Sequence, residues 1–128
     1  MTLKVFLALA FVIAAPLLFL AAPVSAQQTI EDLIPACEAA ADESYIVRRP
    51  AGYCVGFISG VWFMMNVNCI NADYRHAIPQ GLQAGNVSSW RAMVQAFLNW
   101  AEDHPEEWGE PVLVGVYTSL SSTFPCDE

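Results

Sequence analysis

The sequence is poor in basic residues. Five Lys and Arg stand against 13 Asp and Glu among the 128 residues, for a formal net charge of −8 at pH 7. One of the five, Lys4, lies at the apolar N-terminus, and the four others are Arg48, Arg49, Arg75 and Arg91. So acidic a chain is a poor partner for nucleic acid and for anionic membranes, but it attracts a basic protein over distance.

The motifs of common hydrolases and nucleotide-binding enzymes are also missing. The chain has no Gly-x-Ser-x-Gly elbow, no His-Glu-x-x-His and no Walker loop. His76 and His104 could each act as a base, but both lie near prolines among polar residues, where a structural or solvated role is commoner. We therefore predict that the protein is not an enzyme.

Metal-binding patterns are equally scarce. No Cys-x-x-Cys pair occurs, and neither histidine is close to a cysteine in sequence, which disfavours zinc. The alternating Asp-x-Asp-x-Asp-Gly pattern of a calcium loop is missing as well. We expect no metal and no cofactor.

The N-terminus has the layout of a secretory signal peptide. Lys4 precedes a continuous apolar stretch over residues 5–20, and a Val-Ser-Ala pattern ends at Ala26. An uncleaved membrane anchor is the alternative, because the apolar stretch is long, but two prolines and the small-residue site favour cleavage. We predict a signal peptide over residues 1–26 and one exported, periplasmic domain over 27–128.

Apolar residues recur at helical spacing in four segments of the exported part. Thr29 and Asp32 can form a capping pair before the first segment, and Ser88 or Ser89 can cap the third. The sequence therefore predicts an all-α fold, a small disulfide-stapled bundle of about four helices. The helices are expected over residues 29–41, 51–65, 90–101 and 111–120.

The second segment is nearly free of polar side chains. Ser59 is its one conventionally polar residue, so we expect protein to cover almost every face of this central helix. Gly52, Gly56 and Gly60 recur every fourth residue and would form a groove that another helix can approach closely. Because glycine weakens helices, a strand over residues 53–62 stays open as an alternative.

Four cysteines in a small exported chain indicate two disulfides. Cys54 and Cys69 flank the second segment and would stand about 20 Å apart on a helix, too far to pair. Cys37 and Cys54 meet if the first two helices form an antiparallel hairpin, which leaves Cys69 to pair with Cys126. The second bridge closes the longer loop and should contribute more stability.

Five carboxylates crowd the turn after the third helix. We name as the acidic turn the residues Glu102, Asp103, Glu106, Glu107 and Glu110. It is either an ordinary solvated turn or a docking surface for a basic partner. Among the tryptophans, Trp62 and Trp90 are interpreted as core, whereas Trp100 and Trp108 are candidates for exposed aromatic anchors.

Residues 70–87 form a long segment in which no regular secondary structure is predicted. Ordered loops of this length are usually functional, although a mobile, tolerated insertion is the alternative. An aromatic ring, hydrogen-bond donors and apolar side chains all suit a protein contact. The predicted partner-binding residues are Tyr74, Arg75, His76, Ile78 and Leu82, together with Glu106 and Trp108 of the acidic turn region.

Three stretches in order resemble the Rap/Tai group of immunity proteins, which protect bacteria against type VI secretion peptidoglycan amidases. They are the aromatic-x-x-Gly-x-x-x-Gly stretch over residues 53–60, the Phe-Leu to His-Pro-Glu stretch over 97–106, and the closing Phe-Pro-Cys at Cys126. Together they cover most of residues 50–126. One departure is the long segment 70–87, where the family passes quickly from its third cysteine to the next helix.

The resemblance implies a small all-helical periplasmic protein, often a homodimer, that inhibits a secreted amidase by occluding its substrate groove. A small acidic periplasmic stress chaperone is the alternative function. Acidification would make such a chaperone expose apolar surface, whereas an inhibitor should stay folded and bind at neutral pH.

Overall fold

The computed structural model describes residues 28–42 and 49–126, and within these ranges it is helical and contains no strands. The predicted signal peptide lies outside the described residues. Four longer helices form the bundle, as predicted, and a short fifth helix joins two of them. They are α1 (Ile30–Ala41), α2 (Arg49–Ile70), α3 (Ala72–Ala77), α4 (Trp90–Asp103) and α5 (Val112–Thr123).

The start of α1 is fixed by the predicted capping pair. The Thr29 hydroxyl accepts a hydrogen bond from the Asp32 amide, and the Asp32 carboxylate accepts one from the Thr29 amide at 2.9 Å. The Thr29 hydroxyl also donates to the Asp32 carboxylate at 2.9 Å. The hydrogen bond from the Thr29 amide first, and then the one from its hydroxyl, hold the pKa of the Asp32 carboxyl below its usual value. Ser89 caps α4 in a similar way by accepting from the Ala92 amide.

The core lies where α1, α2, α4 and α5 meet. α5 begins at Val112, one residue later than predicted, because Pro111 is the extended residue that precedes the helix. A Cβ on Gly115 would lie 2.8 Å from Cγ1 of Ile30, so this glycine allows α5 to approach α1 closely. The largest fully buried side chains are Phe97, Ile30, Leu33, Ile58, Met65, Leu120, Val94 and Val116.

Both disulfides pair as predicted. Cys37 of α1 is bonded to Cys54 of α2, with their Cα atoms 5.1 Å apart, and the two helices pack as neighbours. Cys69, near the end of α2, is bonded to Cys126, with a Cα–Cα distance of 5.7 Å. α2 is therefore tied covalently to α1 near one end and to the C-terminal segment near the other.

α2 is longer and more exposed than predicted. It runs over 22 residues as a continuous helix, which excludes the strand alternative for residues 53–62. The expectation that protein covers nearly every face is wrong: Phe63 is 61% exposed and Ile70 is 64% exposed. The predicted helix crossing at the three glycines is also not made within the described chain, since a Cβ on Gly52, Gly56 or Gly60 would meet nothing within 4 Å.

By length and composition alone, α2 is long and apolar enough to cross a membrane. Its other side, however, packs into the core through Cys54, Ile58, Met65 and Cys69. Because disulfides fix both ends of this side to the bundle, we interpret α2 as the central helix of a globular domain with one uncovered side.

Candidate functional site

Residues 70–87 are ordered, and the prediction that they lack secondary structure is wrong. The Asn71 side chain accepts hydrogen bonds from the amides of Asp73 and Tyr74 and thereby starts α3 directly after α2. A 3-10 turn, Gln80–Leu82, follows it. The polar residues of this stretch obscured its helix propensity. The Asn71 cap, however, is a local signal from which the short helix could have been predicted.

Side chains of α2 hold the returning chain in place. The side-chain amide of Asn68 donates to the Leu82 carbonyl at 3.0 Å, and the indole of Trp62 donates to the Gly85 carbonyl at 3.0 Å. Between them, the Asn66 amide donates to the backbone carbonyl of residue 84. Thus the few polar atoms of this otherwise apolar helix brace residues 82–85.

The side chain of Gln83 holds α3 in place. Its side chain is buried, and its amide nitrogen donates to the carbonyls of Arg75 at 2.9 Å and Ile78 at 2.5 Å. Arg75 in turn donates from Nε to the Cys69 carbonyl at 2.9 Å. Buried amides satisfied in this way rigidify the segment that they bridge, so α3 has a fixed position relative to the end of α2.

The C-terminal segment closes the same end of the bundle. The Gly85 amide donates to the Phe124 carbonyl at 2.7 Å. A Cβ at Gly85 would lie 2.5 Å from the Pro125 carbonyl oxygen, so the two backbones can cross here only at glycine. The disulfide of Cys126 holds this crossing against α2.

Five of the seven predicted partner-binding residues lie together at this end. We call Tyr74, Arg75, His76, Ile78 and Leu82 the α3 surface; Tyr74 is 47% exposed and Leu82 is 39% exposed. A cavity of about 520 Å³ lies beside it and is lined by Arg75, His76, Gln80, Gln83, Ser121, Pro125 and Cys126. The cavity thus gathers a guanidinium, an imidazole and two carboxamides on an otherwise acidic protein.

The acidic turn contributes its backbone to the fold. The carbonyls of Glu110 and Trp108 accept hydrogen bonds from the first amides of α1, those of Ile30 and Glu31. Trp108 is half-buried, and its indole nitrogen donates to the Ala101 carbonyl at 2.8 Å. The turn therefore has a structural role; Glu107 is half-buried, and the other four acidic residues are exposed.

Trp100 is not an exposed anchor. It is buried in the core, and the ring of His104 stacks on it with the centroids 4.7 Å apart. His104 also contacts the Trp100 carbonyl through Nδ1 at 2.7 Å. The position of Trp100 at the edge of the apolar face of its helix was ambiguous in the sequence, and packing of α5 through Gly115 resolves it.

The two predicted sets of binding residues are at opposite ends of the bundle. The α3 surface precedes α4, and Gly85 just after it is hydrogen-bonded to Phe124 at the end of α5. Glu106 and Trp108 instead lie between the end of α4 and the start of α5. α4 has 14 residues and is therefore about 20 Å long. The five residues of the α3 surface are close along the chain, and Arg75 and His76 line one cavity, whereas Glu106 and Trp108 are not near them.

A second concavity, of about 720 Å³, lies between α1 and α4 beside Trp108. Its lining is largely apolar and includes two exposed carboxylate residues, Glu38 and Glu102. Sequence reasoning did not find this groove, although Ile34 and Glu38, like Leu98 and Glu102, are four residues apart and share a helix face. Its lining is Ile34, Glu38, Ala41, Gln95, Leu98, Asn99, Ala101, Glu102, Pro105 and Trp108.

Within residues 28–42 and 49–126, no three or more His, Cys, Asp or Glu side chains are grouped so that they could hold a metal ion. The described chain is instead a small helical domain in which hydrogen bonds hold the partly exposed segment after α2 in place.

Residues 29–126 match the family model of the Rap1a immunity proteins, and the chain therefore belongs to this family. It is an immunity protein family, whose role is to counter a secreted effector. Neither the search of curated proteins nor that of solved structures gave a significant match.

Proposed function

We propose that this protein is exported to the periplasm, where it binds a secreted peptidoglycan amidase and inhibits it without catalysing a reaction. Membership of the Rap1a family supports the role of immunity protein, and the three ordered stretches that resemble the amidase immunity group support this class of effector. All four cysteines are in disulfides, which suits an oxidising compartment.

The α3 surface is the proposed contact with the effector. The observation that carries this proposal is that Tyr74 and Leu82 are exposed on a segment whose backbone is already held by Gln83 and by three donors of α2. A surface ordered before binding loses little conformational entropy when the complex forms. Tyr and Arg are also the side chains most often found at the energetic centre of interfaces.

The charges on the two ends suggest complementary roles in binding. Arg75 and His76 line the cavity beside the α3 surface, and their donors suit a carboxylate or carbonyl of the effector. The acidic turn, with Glu106 and Trp108, lies about 20 Å away along α4. We expect it to attract basic residues of the effector during encounter, which affects the association rate more than the final affinity.

Inhibition would follow from occlusion. The exposed side chains of the α3 surface occupy the groove through which the amidase receives its peptidoglycan substrate. The effector would stay folded and would keep its own catalytic residues, so dissociation of the complex should restore its activity.

Co-expression tests the proposal directly. The effector encoded beside this gene, exported alone to the periplasm of a host cell, should lyse the cell, and export of this protein with it should prevent lysis. An effector variant without its nucleophile is the control for toxicity. A neighbouring effector that does not cleave the amide bonds of isolated peptidoglycan would overturn the amidase target, and continued lysis in the presence of this protein would overturn the immunity function.

A further inference from the structure

The cavity beside the α3 surface has no acidic side chain in its described lining, although the protein is acidic. The sequence contains 13 Asp and Glu, and none of them is among the described residues that line this cavity. Arg75 and His76 supply donors to it, and Pro125 and Cys126 add apolar atoms. Its volume of about 520 Å³ is in the range of pockets that hold small ligands. The lining therefore favours a small anionic ligand.

The guanidinium of Arg75 is fixed through only one of its nitrogens. Its Nε donates to the Cys69 carbonyl at 2.9 Å, and Cys69 is itself held by the disulfide with Cys126. Within the described chain, no hydrogen bond or ion pair involves Nη1 or Nη2 of Arg75. These two nitrogens form a planar fork of N–H groups that can bind both oxygens of a carboxylate. Arg75 can therefore bind a carboxylate while it keeps its contact with the end of α2.

Gln83 adds a buried acceptor to the same cavity. The residue is 3% exposed, and its amide nitrogen already donates to the carbonyls of Arg75 and Ile78. Its remaining polar atom, Oε1, lies 3.4 Å from Sγ of Cys126, which also lines the cavity. That sulfur is bonded to Cys69 and carries no hydrogen, so it cannot donate to Oε1. A buried carbonyl oxygen needs a donor, and an N–H group of a ligand in the cavity would supply one.

These two requirements together define the ligand. A simple anion such as acetate would satisfy Arg75 but would bring no donor to Oε1 of Gln83. The last residue of a peptide brings both groups, because its carboxylate and its amide N–H are attached to the same carbon atom. We propose that this cavity binds the carboxyl-terminal end of a peptide, with the carboxylate on Arg75 and the last amide N–H on Gln83. Because a free peptide would fill the cavity without the effector, this inference can hold even if the proposed function fails.

The lining is fixed before a ligand binds. The disulfide between Cys69 and Cys126 holds the C-terminal segment against α2, and the side chain of Gln83 holds α3. A site that is ordered in advance loses little conformational entropy on binding. His76 and Gln80 are exposed at the cavity, and their N–H groups suit the carbonyl of the preceding peptide unit. The arrangement therefore suits the last two residues of a peptide rather than a single amino acid.

Titration of the disulfide-bonded mature protein with three matched ligands, followed by NMR, tests the proposal. N-acetyl-alanyl-alanine with a free carboxylate should bind saturably. Its carboxamide, which lacks the charge, should bind at least tenfold more weakly, and so should the ester in which lactic acid replaces the last alanine, because it lacks the N–H. No saturable binding of the free acid, or equal binding of the carboxamide, would overturn the proposal. Equal binding of the ester would reduce the cavity to a simple anion site and would overturn it as well.

The chirality of the last residue distinguishes two sources of such a ligand. Protein chains end in L-residues, whereas peptides of bacterial peptidoglycan end in D-alanine. Titration with N-acetyl-L-alanyl-L-alanine and with N-acetyl-L-alanyl-D-alanine compares the two. Tighter binding of the L form would point to the C-terminus of a protein, and tighter binding of the D form would point to a cell-wall peptide. Either preference supports the proposal, since both ligands present the same two groups.

One variant and its matched control locate the site. Arg75→Gln should weaken binding of the free acid at least tenfold, whereas Arg49→Gln, which removes the same charge from an exposed residue at the other end of α2, should bind like the wild type. Because Arg75 also contacts the Cys69 carbonyl, the wild type provides a readout that does not depend on this variant. The signals of the Gln83 side-chain amide and of Arg75 Nε–H should shift during its titration. Shifts confined to other residues, or unchanged affinity of a folded Arg75→Gln protein, would overturn the proposal.

Discussion

The two sides of α2 are both uncharged between residues 50 and 70 but have opposite environments. The side with Cys54, Ile58, Met65 and Cys69 is buried in the core and cross-linked at two points. The other side, with its three glycines and Phe63, is open. Neither side carries a charge, so hydrophobicity alone does not determine which of them is covered. The positions of the cysteines determine which side is covered, because each disulfide fixes the packed side against another part of the chain.

Among changes to α2, removal of a disulfide on the packed side should have the largest effect on stability. Replacing Cys69 and Cys126 by Ser should lower the free energy of unfolding by about 4 kcal/mol, and the same change at Cys37 and Cys54 by about 3 kcal/mol. The reason is loop entropy, since the first pair is separated by 57 residues and the second by 17. Urea denaturation of both variants measures the difference, and a larger loss from the Cys37 pair would contradict it.

Truncation of one side chain on each side of α2 sharpens the comparison. Ile58→Ala leaves a cavity in a closed core and should cost about 3 kcal/mol. Phe63→Ala should change the unfolding free energy of the monomer by less than about 0.5 kcal/mol, because its ring is mostly in solvent. Both are measured by chemical denaturation. Equal losses would mean that the side of α2 with Phe63 is covered within the protein.

Glycine to alanine changes should have opposite signs at two places. Gly56→Ala should stabilise the monomer by up to about 1 kcal/mol, because alanine is the better helix former and the added methyl meets nothing. Gly115→Ala should destabilise by about 1 kcal/mol, since overpacking against the buried Ile30 exceeds the same gain in helix propensity. Thermal unfolding measures both effects. Melting temperatures of the two variants that shift in the same direction would contradict this account.

A smaller effect is expected at the start of α1, away from both sides of α2. The folded state holds the pKa of Asp32 below its unfolded value, so its contribution to stability is present above the usual carboxyl pKa and is lost as pH falls through the lowered one. Melting temperatures of the wild type and Asp32→Ala should therefore differ at neutral pH and converge in acid. Glu31→Ala changes an acidic neighbour outside the capping box and is the control. A difference in melting temperature between the wild type and Asp32→Ala that grows in acid would contradict the prediction.

Local signals in the sequence were sufficient for much of the fold. The Thr29 cap, the Ser89 cap and the apolar spacing of α4 depend on neighbouring residues, and the disulfide pairing follows from the length of a helix. The exposure of α2 and the burial of Trp100 depend on which helices pack together, which spacing does not specify. Likewise, α3 is stabilised by Gln83 and by donors of α2 that are distant in sequence, and the separation of the two predicted binding sets depends on the direction of α4.

The affinity of the mature protein for its amidase effector, measured by calorimetry, tests the central claim most directly. A flexible linker in place of residues 73–82 would remove the helix that positions the backbone carbonyls of Arg75 and Ile78, the two acceptors of the buried Gln83 amide. The double variant Tyr74→Ala/Leu82→Ala is therefore the cleaner change. It should weaken binding at least tenfold, about 1.4 kcal/mol, with an unchanged melting temperature. Leu113→Ala, at a leucine that is 42% exposed near the opposite end, is the matched control and should bind like the wild type. Unchanged affinity of the double variant would contradict the account and place the contact elsewhere, with the acidic turn the next surface to test.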